Sequence, residues 1–301
     1  MKGSTSDKIF DIFNTCFMIL MLLVTAYPLY FTIIASFSEP YDVAKGNVVF
    51  WPVGFTMQSY QQVLAYRQIW VGYANTVFYT VFGTLFSLAL TIPAAYTLSK
   101  KFLPGRGIIT LIILFTMYFS GGLVPTYLLI RNLGLINTRY TMIILGGFSV
   151  YNMIITRVYF QSSIPDDIYE AARIDGASDF RQFFTIALPL AIPVIAVITL
   201  YYSVSNWNAY FSALLYITRR ELEPLQLVLR RVLILNEIAL NEALLQDSLP
   251  PGELMDSIKR AYAAYTMKYA TVFIASLPLL ILYPFIQKYF VKGIMIGSLK
   301  G

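Results

Sequence analysis

The sequence predicts an all-α membrane protein with six transmembrane helices, on three observations. Of its 301 residues, 57% are hydrophobic and only 13% are charged, a balance that leaves too little polar surface to cover a soluble core of this length. The apolar residues fall into runs of roughly 18 to 25, the length a helix needs to cross a hydrocarbon layer about 30 Å thick. The charged residues collect between the runs, most densely from Asp166 to Arg181.

The first span is expected at about Phe10 to Ala35, behind Lys2 and Lys8. Its apolar run is too long for a signal peptide and no A-x-A pattern follows, so an uncleaved anchor is expected. Further spans are expected at Ile69 to Leu98, Ile108 to Ile130, Thr141 to Phe160, Leu190 to Ile217 and Lys268 to Phe290. Pro28, Pro93, Pro125, Pro193, Pro278 and Pro284 punctuate them. Such kinks fit a bundle that rearranges, and equally fit irregular packing without motion. The 22 basic residues divide evenly between the two sides. Their density favours both termini inside, because the short Ser99 to Gly107 loop carries Lys100, Lys101 and Arg106 and no acid.

Between the fifth and sixth spans, residues 218–267 are too long and too patterned for a simple connection. Leu225, Leu229, Val232, Leu233, Asn236 and Leu240 recur at helical spacing after Pro224, and DSLPPG, Asp247 to Gly252, breaks the pattern. A second helix is expected through Ile258, Tyr262, Tyr265 and Tyr269. The loop reads as a cap over the bundle or as a docking surface for an external protein.

The absence of histidine, and a single cysteine, Cys16, inside the first span, exclude an intrachain disulfide, Cys/His zinc sites, thiol redox pairs and a His-assisted nucleophile. No catalytic residue and no metal ligand set is expected. The formal charge of +6 is that of basic loops facing anionic lipid, and no nucleic-acid partner is implied. No G-x-x-x-x-G-K-[ST] phosphate loop occurs. Polar residues in the spans are few. Asn75 and Asn152 stand out, and Asn206, Trp207, Asn208 and Tyr210 cluster in YSVSNWNAYFSALLY. Such groups either bond between helices or line a wet cavity.

The charged segment cannot lie in lipid. A charge at the centre of a spanning helix costs about 2.5 to 3.5 kcal/mol, so its seven charges would cost on the order of 20 kcal/mol. Pro165 fits a first helical turn, Asp166, Asp167 and Glu170 lie near the positive end of the dipole, and Gly176 fits a left-handed stop. A helix is therefore expected over Pro165 to Asp175. Ser178 caps a second helix, whose Phe180, Phe183, Phe184 and Ile186 are expected to face the bundle. Ala171 and Ala172 are small enough for another protein's groove to approach the backbone closely.

These residues resemble a known family. Glu170-Ala171-Ala172, Gly176 after three more residues, Ile186 after nine more and then Leu188-Pro189 are similar to the EAA loop of the membrane subunits of binding-protein-dependent ABC importers. SNWNAYFSALLYI and the terminal GSLKG are similar to the sugar-uptake branch, in particular the smaller permease of the maltose importer. The long loop with LQLVLRRVLI looks most like permeases for complex oligo- and polysaccharides in Gram-positive bacteria. The resemblance covers essentially the whole chain.

It implies a type I ABC importer transmembrane-domain fold: a single permease domain over 1–301, a cytoplasmic coupling loop at 165–189, an extracytoplasmic loop at 218–267 and a cytoplasmic tail at 293–301. It implies a multi-pass subunit of the cytoplasmic membrane, with both termini inside, that moves a carbohydrate handed over by an extracytoplasmic solute-binding protein. The implied partners are a second, homologous permease in a heterodimer and a dimer of ATPase subunits. No cofactor is expected in this chain, and ATP and Mg belong to the ATPase. The residues implied to couple to it are Glu170, Ala171, Ala172, Arg173, Asp175 and Gly176, with Gly297, Ser298, Leu299, Lys300 and Gly301 as a further contact. Asn206, Trp207, Asn208 and Tyr210 are the candidates for the translocation path. The competing reading is a passive channel or membrane sensor without an ATPase. A membrane-embedded enzyme lacks an ionisable pair in the spans, and a helix-turn-helix DNA reader would carry acids facing phosphate.

Overall fold

The computed structural model describes residues 5–245, 252, 262–264, 266–281 and 284, and no β-strand occurs among them. In chain order the helices are α1 (Thr5–Ser36), α2 (Pro40–Ala44), α3 (Gln58–Ala65), α4 (Arg67–Ser99), α5 (Arg106–Tyr118), α6 (Leu123–Asn132), α7 (Arg139–Ile144), α8 (Val150–Ser163), α9 (Asp166–Ile174) and α10 (Asp179–Gln182). A π-helical turn, Phe183–Ala187, continues α10 into the short α11 (Leu188–Leu190), and α12 (Ile192–Trp207), α13 (Tyr210–Tyr216) and α14 (Leu225–Leu245) follow. A further helix, α15, is Tyr262–Ile281.

Among the described residues, three helices, Asp7–Ser36 within α1, α4 and α15, are long and apolar enough to cross a membrane alone. The predicted third span is a bent pair, and the predicted fifth, Leu190 to Ile217, is divided between α12 and α13, with a further bend ahead of α12. Arg106–Tyr118 and Leu123–Asn132 meet at 110°, and Asp179–Leu190 and Ile192–Trp207 at 78°. The predicted fourth span, Thr141 to Phe160, is divided between α7 and α8. Each interruption has a local cause. Gly122 takes φ +89°, open to glycine and strained for other residues, and its N–H is held by the Ser120 hydroxyl. At Gly147 a Cβ would stand 2.5 Å from the Phe86 ring, so the glycine allows close approach, and the Ser149 hydroxyl then starts α8 by accepting from the Asn152 N–H. In the fifth run, Asn208 ends α12 with its side chain folded back onto the Val204 carbonyl. The π-helical turn lies just before Pro189, whose ring crowds the carbonyl one turn earlier and whose missing N–H leaves that turn without a donor.

Two compact units are present. The first falls within Met1–Ile69 and Leu229–Leu277. Ile34, Ala35, Val43 and Val48 form its core, with Phe31 and Tyr269 packed edge to face at 5.6 Å. Most of α1 keeps large apolar side chains outward, Phe13 and Leu29 among them, as a helix bathed in hydrocarbon can.

The second unit falls within Trp70–Val228 and Pro278–Gly301. Its main core gathers Ile92, Ala95 and Leu98 from α4, Met153 and Phe160 from α8, Tyr169 from α9, and Val194, Ile198 and Tyr202 from α12. Polar side chains stitch the same helices together. The Tyr202 hydroxyl lies 2.6 Å from that of Thr91 and accepts from the Ser149 N–H at 3.0 Å. Further along α4, Asn75 donates to the carbonyls of Glu221 and Glu223, Tyr79 donates to that of Leu222, and Thr76 accepts from the Leu225 N–H. Asn75 thus makes a bond between elements, one of the two roles its sequence position allowed. In α14, Leu225, Leu229 and Val232 are buried as its spacing predicted. The side chains of Asn236 and Leu240 lie outside the described residues, as do Ile258, Tyr265, most of DSLPPG and the end of the predicted sixth span.

Candidate functional site

The charged segment forms the helix its chemistry dictates. α9 begins after Pro165, places Asp166 and Asp167 in its first turn and Arg173 in its last, so both ends carry the charge that the helix dipole favours. Its C-terminus closes with paired backbone bonds, Gly176 N–H to Arg173 C=O at 3.1 Å and Ala177 N–H to Ala172 C=O at 2.9 Å, which need the left-handed φ of +75° at Gly176. Ser178 caps α10 through the Arg181 N–H. Gln182, almost fully buried, donates to the Ala177 carbonyl at 2.9 Å and pins the turn between the two helices. That lock was not apparent in the sequence.

α9 has two faces. Tyr169 and Ala172 are buried in its own unit, while Glu170, Ala171, Arg173, Asp175 and Gly176 are exposed, beside an 87% exposed Ile174. The two alanines therefore do different work. Ala171 lies on the open face, whereas Ala172 lets α9 approach the body of the protein. A second correction concerns the phenylalanines. Phe183 and Ile186 pack against the core as expected, but Phe180 and Phe184 are 79% and 60% exposed. The short α10 and the widened turn after it rotate these two out of the apolar stripe. They line, with Pro93, Tyr96, Thr97, Asp179 and Phe183, a cavity of about 300 Å³.

The loop after α4 grips α9. Lys101 Nζ lies 2.7 Å from Asp166 Oδ2, with both side chains well exposed. Lys100 Nζ sits 2.9 Å from the centre of the Tyr169 ring and 4.5 Å from that of Tyr96. The Arg173 guanidinium lies 5.2 Å from the centre of the Phe102 ring. A pocket of about 160 Å³ opens among Lys100, Lys101, Phe102, Asp166, Tyr169, Glu170 and Arg173. Burial pulls the Lys100 ammonium down to about 8, against the opposing pull of Asp166 and Asp179. Burial likewise pushes the Tyr169 phenol up, helped by Tyr96 and Asp166. The hydrogen bond from Lys101 holds the Asp166 carboxyl below its usual range. In the sequence the loop was visible only as a concentration of basic charge.

The second candidate group divides at the end of α12. Asn206 is buried and donates to Thr84 Oγ1 at 3.4 Å, and Trp207 is buried edge to face against Tyr73 at 5.8 Å. Asn208 and Tyr210 flank the break and are exposed. The third group, Gly297, Ser298, Leu299, Lys300 and Gly301, lies outside the described residues.

Comparison with known proteins accords with this architecture. The chain is 37% identical over 302 residues to Protein LplC of Bacillus subtilis (strain 168), covering all of this chain and 98% of that protein. It is 34% identical over 296 residues to the polygalacturonan/rhamnogalacturonan transport system permease protein YtcP of the same organism, covering 98% of this chain and 99% of that one. The crystal structure of a bacterial ABC transporter involved in the import of the acidic polysaccharide alginate contains a chain that superposes with a TM-score of 0.83 at 36% identity, covering 96% of this chain and 99% of that chain. These relationships leave no place for the passive channel or sensor. With the family pattern matched over residues 69–296 as well, the chain belongs to the inner membrane components of binding-protein-dependent transport systems.

Proposed function

We propose that the protein is one half of the membrane-spanning body of an importer for an oligo- or polysaccharide, driven by ATP hydrolysis with Mg on separate ATPase subunits. The observation that carries this reading is the split character of α9, anchored by Tyr169 on one face and open on the other with Glu170, Ala171, Arg173, Asp175 and Gly176. A short helix with one face buried in its own protein and a charged face presented outward suits insertion into a cleft of another protein. On this reading the ATPase takes α9 in that cleft, and its closing and opening move the helix and so open a path between the two permeases outward and then inward. A second, homologous permease completes the body, and an extracytoplasmic solute-binding protein delivers the carbohydrate.

The chain then makes six crossings, counting α5 with α6, α7 with α8, and α12 with α13 as one each, with both termini in the cytoplasm. Residues 165–189 are the cytoplasmic coupling loop, 218–267 the outer loop, and 293–301 a tail reaching the ATPase through Gly297, Ser298, Leu299, Lys300 and Gly301. Asn208 and Tyr210 face the carbohydrate path, and Asn206 and Trp207 hold the break that presents them. Two of the similar proteins are named for galacturonan-type and alginate transport, so uronate-containing chains are the first substrates to test.

The experiment is recovery of the tagged chain from its own membrane in mild detergent, with a cysteine replacing Glu170 for crosslinking. Recovery of a second permease and an ATPase subunit, the latter crosslinked at position 170, supports the reading. Recovery of the chain alone, with no crosslink, removes it.

A further inference from the structure

The grip of the loop after α4 on α9 extends the proposed function. Asp166, Tyr169 and Arg173 are spaced by three and four residues and so form one stripe along α9. Three consecutive loop residues meet that stripe: Lys101 at Asp166, Lys100 at Tyr169 and Phe102 at Arg173. The loop follows directly on α4, the longest helix of its unit, whose Ile92, Ala95, Tyr96 and Leu98 form part of the main core.

We propose that Lys100, Lys101 and Phe102 are a clasp that carries displacement of α9 into the end of α4, with Lys100 as the positioning residue on which the linkage depends. This rests on reading α9 as the helix that docks the ATPase. Without the clasp, a push on α9 would reach its chain neighbours, α8 and α10, and would reach α4 through the Tyr169 and Tyr96 rings, 6.1 Å apart. With it, the Lys100 ammonium seated against both of those rings adds a second linkage into the same group, in which the Phe160 and Phe183 rings lie 5.5 and 4.9 Å from that of Tyr96.

The three contacts differ in weight. The Lys101 to Asp166 ion pair is exposed on both sides, where such pairs contribute little. Lys100 is half-buried against two rings, where a cation is attracted most strongly. Its charge also responds to conditions. Asp166 and Asp179 favour the ammonium, Arg173 and burial oppose it, and burial prevails, so the charge is lost as pH rises through about 8. Arginine in its place would keep its charge throughout.

The test uses the whole importer, with its partner permease, ATPase subunits and binding protein, in proteoliposomes, reading sugar taken up per ATP hydrolysed. Lys100→Met and Tyr169→Leu are each expected to lower that ratio about fivefold or more, the scale of a partly desolvated cation–π contact, with the amount of bound ATPase unchanged. The double variant is expected to fall no further than either single one. The wild-type ratio is expected to decline above about pH 8 relative to Lys100→Arg. Unchanged coupling in Lys100→Met, or a wild-type pH profile indistinguishable from that of Lys100→Arg, overturns the clasp. Should Lys100→Met fail to assemble, the comparison with Lys100→Arg alone decides. The Glu170 cysteine crosslink separates the two ideas: with the crosslink present and coupling unchanged, only the clasp fails, and with the crosslink absent the docking reading fails and the clasp with it.

Discussion

The Asn206 carboxamide occupies the space that a side chain on Gly83 would need. A Cβ on Gly83 would stand 2.9 Å from Asn206 Nδ2, and one on Gly146 would stand 3.0 Å from Asn206 Oδ1. Two glycines, one in α4 and one in the break before α8, thus admit a single buried polar side chain from α12. Gly83→Ala is expected to destabilise by about 1 to 3 kcal/mol, as overpacking does. Asn206→Ala in the same chain should recover part of that loss, because the crowding atom is gone. Gly72→Ala is the contrast. Its Cβ would meet the Leu225 Cα at 3.1 Å and backbone nitrogen at 3.2 Å, which no side-chain change can relieve. Unfolding midpoints of the detergent-solubilised variants check both statements. Equal loss in Gly83→Ala with and without Asn206→Ala would defeat the first.

Gly176 poses a cleaner question, because nothing lies within 4 Å of its missing Cβ. Any effect of substitution there comes from the backbone φ of +75°. Asparagine tolerates that region and is expected to retain most of the transport, whereas valine is expected to cost about 1 to 2 kcal/mol or more and to uncouple ATP hydrolysis from uptake. Sugar uptake and ATPase rate measured side by side on Gly176→Asn and Gly176→Val decide it. Equal transport in the two variants would mean that the turn need not keep its left-handed form.

How much of this was legible in the sequence depended on whether the cause was local. Pro165, Gly176 and Ser178 act on backbone groups within four residues of themselves, and the helix they delimit was read correctly. The breaks at Gly121-Gly122 and Gly146-Gly147 were missed because apolar runs on either side look continuous to a count of hydrophobic residues. The purpose of Gly146 is legible only beside Asn206, which lies 60 residues further along. Phe180 and Phe184 were assigned to the wrong side because periodicity shows that a stripe exists but not where a widened turn ends it. The clasp escaped for the same reason as Gly146: Lys101 and Asp166 are 65 residues apart.

Asn137 is the one non-glycine residue with positive φ among the described residues, at 60°. Its side-chain oxygen accepts from the Thr218 N–H at 2.6 Å, the Thr218 hydroxyl at 2.9 Å and the Arg219 N–H at 3.1 Å. It thereby ties the segment before α7 to the segment after α13. Asn137→Ala loses those bonds and keeps a strained backbone, an expected cost of about 2 to 3 kcal/mol. Asn137→Gly removes the strain but not the loss, and Asn137→Asp keeps the acceptor. Midpoints in the order wild type, aspartate, glycine, alanine are expected, and alanine equal to wild type would show that the tie carries no weight.

The break after α12 separates two roles. Trp207 is buried against Tyr73, so Trp207→Ala opens a cavity of a kind that typically costs about 3 to 5 kcal/mol. The expected outcome is poor assembly with the partner permease. Tyr210 is 44% exposed, and Tyr210→Ala is expected to lower uptake while assembly stays intact. Purification yield of the proposed heterodimer, compared with uptake per assembled complex, distinguishes them. Loss of assembly in Tyr210→Ala would remove it from the proposed carbohydrate path.

Lys100 makes stability and coupling respond to pH in opposite directions. In the folded protein its ammonium is pulled from its ordinary 10.5 to about 8, mainly by burial. Between those values the unfolded chain holds a proton that the folded chain has released, so the contribution of Lys100 to stability rises with pH across that window and is lost as pH falls through about 8. The side chain is only half-buried, and solvent screening keeps the effect modest. Lys100→Met is charge-free at every pH. Its midpoint is therefore expected to lie above wild type near neutral pH, by an amount that shrinks as pH passes about 8. Across the same range the wild-type ratio of uptake to ATP hydrolysis is expected to fall, since the cation that grips Tyr169 is disappearing. A difference between the two midpoints that stays constant with pH would show that the Lys100 proton is not linked to folding.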